Sequence, residues 1–280
     1  MTTETDTPTN DTPANLPTTT QENTGMMSAD DIALLEGATK TDDFKSTDIE
    51  IPTMSIIQSN SPHLIRGDAN YIEAARPGDI IDTMHRIPRQ RIAFVPVKFE
   101  RTFAEWKPNR GGIVRQWGTD SSKYDASGND YGTRRTAEGN DIVPAAAYYG
   151  LVINEDGSTI PVILRMGGSQ FKKSRRLNML ISMLEVKRPD GTTFTPPMFS
   201  RVYSMETVGE SNDMGNWYGW KIEPGAHLLQ VNGGKEIFQK ADKLRSQIDA
   251  GTARAAPEPG TAASSQASSD AASRDEEVPF

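Results

Sequence analysis

Apolar residues in the middle of the chain alternate with polar ones or form short runs, a pattern typical of β-strands. The longest such segment is Arg91–Trp106, in which apolar residues dominate from Ile92 to Phe99. Pro96 lies inside it and cannot donate a backbone hydrogen bond, so it predicts an edge strand or a bulge. Without a bulge, Phe94 and Phe99 fall on opposite faces of the strand.

The same reasoning predicts further strands and two helices. Apolar positions three to four residues apart predict a long internal helix, which Ser169 can cap and which runs to about Lys187, and a terminal helix over Glu236–Ile248. The other predicted strands are Ile51–Ile57, Tyr71–Met84, Gly111–Trp117, Ala145–Ile153, Ser158–Met166, Phe194–Glu206 and Asn216–Ile222. This order favours a mainly β fold, an OB-fold-like barrel with one long internal helix and a C-terminal helix. Periodicity alone does not separate it from other all-β folds.

The two ends of the chain differ in composition from its middle. The start is rich in Thr, Pro and acidic residues, and the end is rich in Ala, Ser and Pro, so both ends are expected to be disordered. The predicted segments are an acidic arm at 1–48 with a short helix at 29–36, a body at 49–248 with a polar insertion at 119–141, a linker at 249–272 and an acidic tip at 273–280.

The formal charge of −8 conceals a body of opposite sign. Residues 1–50 hold 11 acidic and 2 basic side chains, giving −9, and residues 246–280 hold 6 and 2, giving −4. Residues 51–245 hold 21 acidic and 26 basic side chains, giving +5. A basic body attracts phosphate, so we expect a nucleic-acid partner for which the acidic ends compete.

Several classes of protein find no support in the sequence. There is no cysteine, the three histidines have no ligand spacing, and neither a phosphate-binding glycine loop nor a Gly-x-Ser-x-Gly sequence is present. We therefore expect no enzyme activity, no cofactor and no metal. A magnesium-dependent nuclease would have to use carboxylates of the insertion, whose loop setting does not favour it; these are Asp120, Asp125, Asp130 and Asp141. No apolar run is long enough to cross a bilayer, and the first residues lack a signal peptide, which favours a soluble cytoplasmic protein without a membrane partner.

Basic and aromatic residues are interleaved in the body, as in grooves that follow phosphates while bases stack on rings. The candidates for DNA binding are Trp106, Lys107, Arg110, Arg115, Trp117, Tyr124, Arg134, Arg135, Lys172, Lys173, Arg175, Arg176 and Trp220. Trp106 and Trp117 flank a turn and are the strongest stacking candidates. Alternation places Trp217 on one strand face with Gly219 and Trp220 on the other. The competing interpretation, with rings in the core and cations on a solvated helix face, stays open.

The last residues form the most specific sequence feature. The segment Ser273-Arg-Asp-Glu-Glu-Val-Pro-Phe280 combines an acidic cluster with an apolar end. A basic pocket can hold the carboxylates while the phenylalanine fills an apolar hole. The tip residues that carry this pattern are Asp275, Glu276, Glu277, Val278, Pro279 and Phe280. With the linker before it, this arrangement resembles the bacterial and phage single-stranded DNA-binding proteins. The tip looks like that of the bacterial family, whereas the size of the body and its long internal helix look more like those of the phage replication single-strand binders.

The resemblance implies an OB-fold body that binds and protects single-stranded DNA, independently of sequence, in replication, recombination and repair. It also implies a tip that competes with DNA and recruits replication or repair proteins of the polymerase, helicase, primase or nuclease class. The expected location is the cytoplasm of a bacterium or of a phage-infected cell. The alternative is an accessory protein-interaction factor whose β-domain does not bind DNA. The oligomeric state stays open.

Overall fold

The computed structural model describes residues 29–30, 33, 50–108, 113–125, 134–213, 215–251 and 254–255. The chain divides into two compact units, residues 1–43 and 44–280. In the first unit Ala29, Asp30 and Ala33 are helical, within the predicted short helix. The rest of that helix, most of the predicted arm and linker, and the whole tip lie outside the described residues.

The second unit is built mainly from strands. The strands are β1 Glu50–Ile51, β2 Thr53–Ile56, β3 Ile80–Asp82, β4 Arg91–Trp106, β5 Ile113–Gly118, β6 Arg134–Arg135, β7 Asp141–Ile153, β8 Thr159–Gly167, β9 Val186–Lys187, β10 Thr193–Phe194, β11 Arg201–Asn212, β12 Gly215–His227 and β13 Arg254–Ala255. The α-helices are α1 Ser122–Asp125, α2 Phe171–Ser182 and α3 Gly234–Asp249. Short 3₁₀ turns span Pro62–Leu64, Gly168–Gln170, Met198–Ser200 and Leu228–Gln230.

One sheet carries most of these strands, in the order β12-β11-β4-β7-β8-β2-β3, with β5 paired to β4 and β6 paired to β7. Strands β4, β7 and β8 form an antiparallel meander, and α2 follows it. The hairpin β11–β12 then returns so that β11 pairs with β4. A first long strand that pairs with the second and the fourth, with a helix between the third and the fourth, is the strand order of an OB-fold. The predicted mainly β, OB-fold-like body is confirmed.

The sheet curls until its two ends meet, and side chains join them. The Gln58 side chain donates from Nε2 to Tyr218 O at 3.0 Å and accepts at Oε1 from Tyr218 N at 2.8 Å. The Thr207 hydroxyl donates to Gly78 O at 2.5 Å. The Tyr218 ring lies so close to Gly78, which has a φ of +94°, that a Cβ there would be 2.8 Å from it. A glycine is therefore required where the ends of the sheet meet.

Two apolar clusters lie on opposite faces of the sheet. Inside the curl, Phe94, Tyr148, Tyr203 and Trp220 are buried together with Leu177 of α2. On the outer face, Val95, Val97 and Ala147 pack against Ile237 and Leu244 of α3. The two helices therefore cover different faces of the same strands.

Strand β4 contains the bulge that its proline predicts. The register with β7 shifts between Pro96 and Lys98. Because the extra residue reverses the alternation, Phe94 and Phe99 both pack into the inner cluster. The conditional prediction from the sequence is confirmed: the long strand has the predicted bounds, and its proline marks a bulge.

The part of β12 that follows Tyr218, the residue in contact with Gln58, forms an edge of the sheet. We call this part the outer half of β12. Lys221 lies 3.6 Å from Glu206 and 3.1 Å from Glu223 in ion pairs along this edge. Pro224 follows, in register with Tyr203 of β11. Charged residues and a proline thus occupy this edge.

Other predicted bounds are corrected by the structure. Of the strand predicted at 71–84, only Ile80–Asp82 is a strand, because the chain turns at Gly78 before it. The internal helix ends at Ser182, and the strand predicted from Phe194 begins only at Arg201. Prolines 196 and 197 interrupt that segment, since each lacks a backbone N–H. Ser169 does not cap the helix; it lies in the preceding 3₁₀ turn.

Candidate nucleic-acid interface

A cleft of about 460 Å³ lies on the outer face of β4, β7 and β8, further along the strands than the part covered by α3. The register of the strands builds its floor, with Thr102 opposite Ala145 and Ala104 opposite Val143. Gly167 of β8 pairs with Ala145 and extends the floor. Because these side chains are small, the floor leaves room for a flat ligand.

Two larger side chains flank this floor, Trp106 and Arg165. Trp106 is the last residue of β4, and Arg165 lies in β8 in register with Ala147; both side chains are half-buried. The guanidinium is charged at any ordinary pH, and the indole offers a flat π face. With a cation on one side of this floor and an aromatic ring on the other, the cation can bind a phosphate and the ring can stack on a base.

The cleft continues to the first turn of α2, because Gly168 and Ser169 line it immediately before that helix. Lys172, Arg175 and Arg176 are exposed on the helix. The predicted cluster of cations is therefore on the surface of the helix that begins after Ser169, at the end of the cleft.

The remaining predicted cation of α2 has a partner on the sheet. Lys173 forms an ion pair with Glu210 of β11. Phe171 lies between two guanidinium groups, 5.7 Å from that of Arg101 and 5.3 Å from that of Arg175, measured to the ring centre. These contacts hold the first turn of α2 against the sheet.

Two predicted ring residues belong to a small apolar cluster. Tyr124 of α1 is only 2% exposed and packs with Phe103 and Ile142. Trp117 packs against the same cluster, and the guanidinium of Arg115 lies 4.8 Å from the centre of its indole ring. The expectation that Tyr124 stacks on a base is corrected, because its ring is buried. Trp117 is partly covered on both sides, so Trp106 becomes the stronger stacking candidate.

The prediction for Trp220 is also corrected. Its ring is 2% exposed and lies in the inner cluster, so it has no face to offer a base. Trp217, on the opposite strand face, is the half-buried ring. Alternation separated the two rings correctly, but it did not tell which face of β12 is turned inward. Gly219 on the same face as Trp217 marks a close approach of Glu210 and Gln170 to the strand, which the sequence alone does not show.

The other predicted residues are spread over the loop between β4 and β7. Lys107 is exposed directly after Trp106, and Arg135 is exposed with its Nε 3.3 Å from Asp141. Arg110, the side chain of Arg134 and the tip residues 275–280 lie outside the described residues. The structure therefore places Lys107 beside Trp106, while Arg176 of α2 lines a separate pocket with Trp220, Lys221 and Glu223 of β12.

Two features are absent from the part of the chain that the structure describes. No group of three or more histidine, cysteine, aspartate or glutamate side chains there is close enough to hold a metal ion. No helix there is both long and apolar enough to cross a membrane.

Comparison with known proteins gives one match. A family model described as "Pam3 phage gp34-like protein" matches residues 21–254, which covers the body and most of the chain. No curated protein and no solved structure matches the chain. The family indicates a phage protein, and its description names no ligand.

Proposed function

We propose, for this chain that belongs to the Pam3 phage gp34-like family, that the body binds single-stranded DNA independently of sequence. The observation that carries the proposal is the cleft on the outer face of β4, β7 and β8, with Trp106 and Arg165 flanking a floor of small side chains. OB-folds bind oligonucleotides on the face of their second and third strands, which are β7 and β8 here.

The charges around the cleft support the same proposal. Lys172 and Arg176 are exposed on α2, which begins where the cleft ends, and Lys107 follows Trp106. Arg165 in the cleft and Lys107 next to Trp106 let a strand place its phosphates beside a base stacked on the indole. No part of this arrangement depends on the identity of the base.

A fluorescence anisotropy titration with a labelled oligo-dT at several salt concentrations tests the proposal. Trp106→Ala is expected to weaken binding by about 1–3 kcal/mol if a base stacks on the indole. Trp106→Phe keeps a ring and is expected to retain most of the affinity. The matched control is Phe194→Ala, because Phe194 is an exposed ring 4.5 Å from the guanidinium of Arg188 on a separate hairpin.

A charge variant tests the contribution of α2. Replacing Lys172 and Arg176 by alanine is expected to lower the slope of log K against log salt by about 0.7 per lost phosphate contact. The matched control replaces Lys240 and Lys243, two exposed lysines of α3. Equal slopes for the two double variants would contradict a role for α2. If the unmodified protein binds no oligo-dT even at low salt, the accessory-factor alternative is the better one.

We further propose that the acidic tip competes with DNA and recruits replication or repair proteins. The support is its sequence, with Asp275, Glu276 and Glu277 next to Pro279 and Phe280. Removal of residues 251–280 is expected to tighten binding of oligo-dT at fixed salt, because the five acidic and two basic side chains of that segment, a net charge of −3, no longer compete with phosphate. Weaker or unchanged binding by the truncated chain would contradict the competition.

A further inference from the structure

A second cleft, of about 510 Å³, lies at the other side of the turn that leads into α2. Its walls come from the hairpin β11–β12, from the segment after β2 and from that turn. Among the described residues its lining consists of the rings of Trp217 and Tyr218 and of neutral amide and hydroxyl side chains, including Asn60, Ser169 and Asn216. Ser169 also lines the first cleft, so the two clefts adjoin.

The indole of Trp217 is held in a fixed position. Its Nε1 donates to Glu210 Oε2 at 2.8 Å, across the hairpin, and Glu210 is in turn paired with Lys173 of α2. Gly219 follows Trp217 on the same face, and a Cβ there would overlap the Glu210 carboxylate and lie 2.8 Å from Gln170 Nε2. With its only polar group occupied, the indole offers the cleft a π face.

The carboxylate that holds the indole stays ionised. Partial burial disfavours the charged form of Glu210, but hydrogen bonds from Lys173 and Trp217 and the positive charge of Lys173 hold its pKa below the usual value. Lys173 balances this charge, so the wall of the cleft adds no unpaired negative group that would repel a nucleic acid.

The floor of the cleft is also built from occupied groups. The Gln58 amide exchanges two hydrogen bonds with the backbone of Tyr218, and Gln170 Oε1 accepts from Trp220 N at 2.9 Å. At the mouth, by contrast, the amides of Asn60 and Asn216 are exposed. The site therefore combines a rigid ring and floor with side-chain amides that can rotate to present a donor or an acceptor.

We propose that this second cleft binds one nucleobase of a bound single strand, stacked on Trp217 and hydrogen-bonded by Asn60 and Asn216. The proposal rests on the proposed function, because the base belongs to the strand whose phosphates run past Ser169 from the first cleft. Among the described residues no cation lines the second cleft, whereas Arg165 lines the first. The ligand recognised here is consequently the base and not the phosphate.

The test compares Trp217→Ala with the unmodified protein, using oligo-dT and an oligonucleotide of the same length made only of abasic sugar-phosphates. Trp217→Ala is expected to lose about 5- to 150-fold in affinity for oligo-dT. Its slope of log K against log salt is expected to stay unchanged, because no phosphate contact is removed. Affinity for the abasic strand is expected to be the same for both proteins.

Two further variants keep the test decisive if Trp217→Ala folds poorly by circular dichroism. Trp217→Phe retains a ring and is expected to keep most of the affinity while losing part of the tryptophan quenching on binding. Asn216→Ala changes an exposed side chain and is expected to weaken oligo-dT binding about 2- to 13-fold, the loss of one hydrogen bond. The control Phe194→Ala is expected to bind as the unmodified protein does.

The outcomes separate this proposal from the proposed function. Unchanged affinity in Trp217→Ala and Asn216→Ala, together with a loss in Trp106→Ala, overturns the second cleft alone. A lower salt slope or weaker binding of the abasic strand in Trp217→Ala also overturns it, because the cleft then contacts phosphate. If the unmodified protein binds neither strand, both proposals are overturned.

Discussion

Tyr148 and Tyr203 allow one hydrogen bond to be measured against a matched control. Both side chains are 0% exposed and lie in the inner cluster. The Tyr148 hydroxyl lies 2.9 Å from Ser174 O and 2.8 Å from Asn178 Oδ1, both in α2. The Tyr203 hydroxyl has no hydrogen-bond partner among the described residues. The same change, Tyr→Phe, therefore removes a hydrogen bond at one position and an unsatisfied hydroxyl at the other.

The expected magnitude follows from these contacts. A hydroxyl has one proton to donate, so Tyr148→Phe loses the equivalent of one buried hydrogen bond, about 0.5–1.5 kcal/mol of the free energy of unfolding. The Ser174 carbonyl keeps its helical partner four residues on, so no further cost arises there. In a domain of this size the loss lowers Tm by about 1–6 °C. Tyr203→Phe removes a group that burial leaves unsatisfied and is expected to be neutral or stabilising.

Urea denaturation, followed by circular dichroism, measures both variants. The expected result is a lower midpoint for Tyr148→Phe and an equal or higher midpoint for Tyr203→Phe, with the same m value in each. An unchanged m value shows that the two variants expose the same surface on unfolding. If Tyr203→Phe destabilises the protein as much as Tyr148→Phe, the assignment of these hydrogen bonds is wrong.

Three other predictions concern single groups. The pKa of Glu210 is lowered from its ordinary value of 4.5, so the contribution of this carboxylate to stability is present above that pH and is lost as the pH falls through the folded-state pKa. Acid titration of the Trp217 fluorescence measures this loss. Glu210→Gln is expected to make the fluorescence less dependent on pH. Burial raises the pKa of Tyr203 from 10.0 to about 12, despite the opposing charge of a nearby arginine. The contribution of this group to the free energy of unfolding is therefore present below pH 10 and is lost as the pH rises towards 12. The free energy of unfolding, measured across this pH range, is expected to depend less on pH in Tyr203→Phe. A Cβ on Gly150 would lie 2.5 Å from a buried phenylalanine ring and from a backbone oxygen. Gly150→Ala is therefore expected to lower the free energy of unfolding by about 1–3 kcal/mol or more, measured in thermal melts. Gly209→Ala is the control, because a Cβ on Gly209 would have no atom within 4 Å.

The strands that the sequence predicts best are those whose signals are local. Strand β4 has its predicted bounds because a long apolar run and Pro96 lie within one segment. The hairpin of β7 and β8 follows from the turn at 154–157 between two β-branched runs. Helix α3 likewise extends only two residues before and one beyond its prediction. Local propensity and tertiary structure agree at all of these places.

The candidate interface is less predictable because distant residues decide which rings are buried. Alternation separates Trp217 from Trp220, but α2 and the inner cluster decide that Trp220 is the buried one. Tyr124 of helix α1 is buried by Phe103 of β4 and Ile142 of β7. Gln58 meets Tyr218 160 residues away, and neither residue carries a local signal for that contact. Sequence patterns predict on which face of a strand a side chain lies, whereas these long-range contacts decide whether that side chain is exposed.

The edge formed by the outer half of β12 has a consequence for self-association. An unpaired strand edge is a template on which a strand of another molecule can add, and such addition leads to sheet-to-sheet polymers. Here Pro224 supplies no N–H for an incoming strand, and the Lys221 and Glu223 charges would have to lose water as it approached. Addition of a strand at this edge is therefore disfavoured, so self-association of the protein through β12 is not expected.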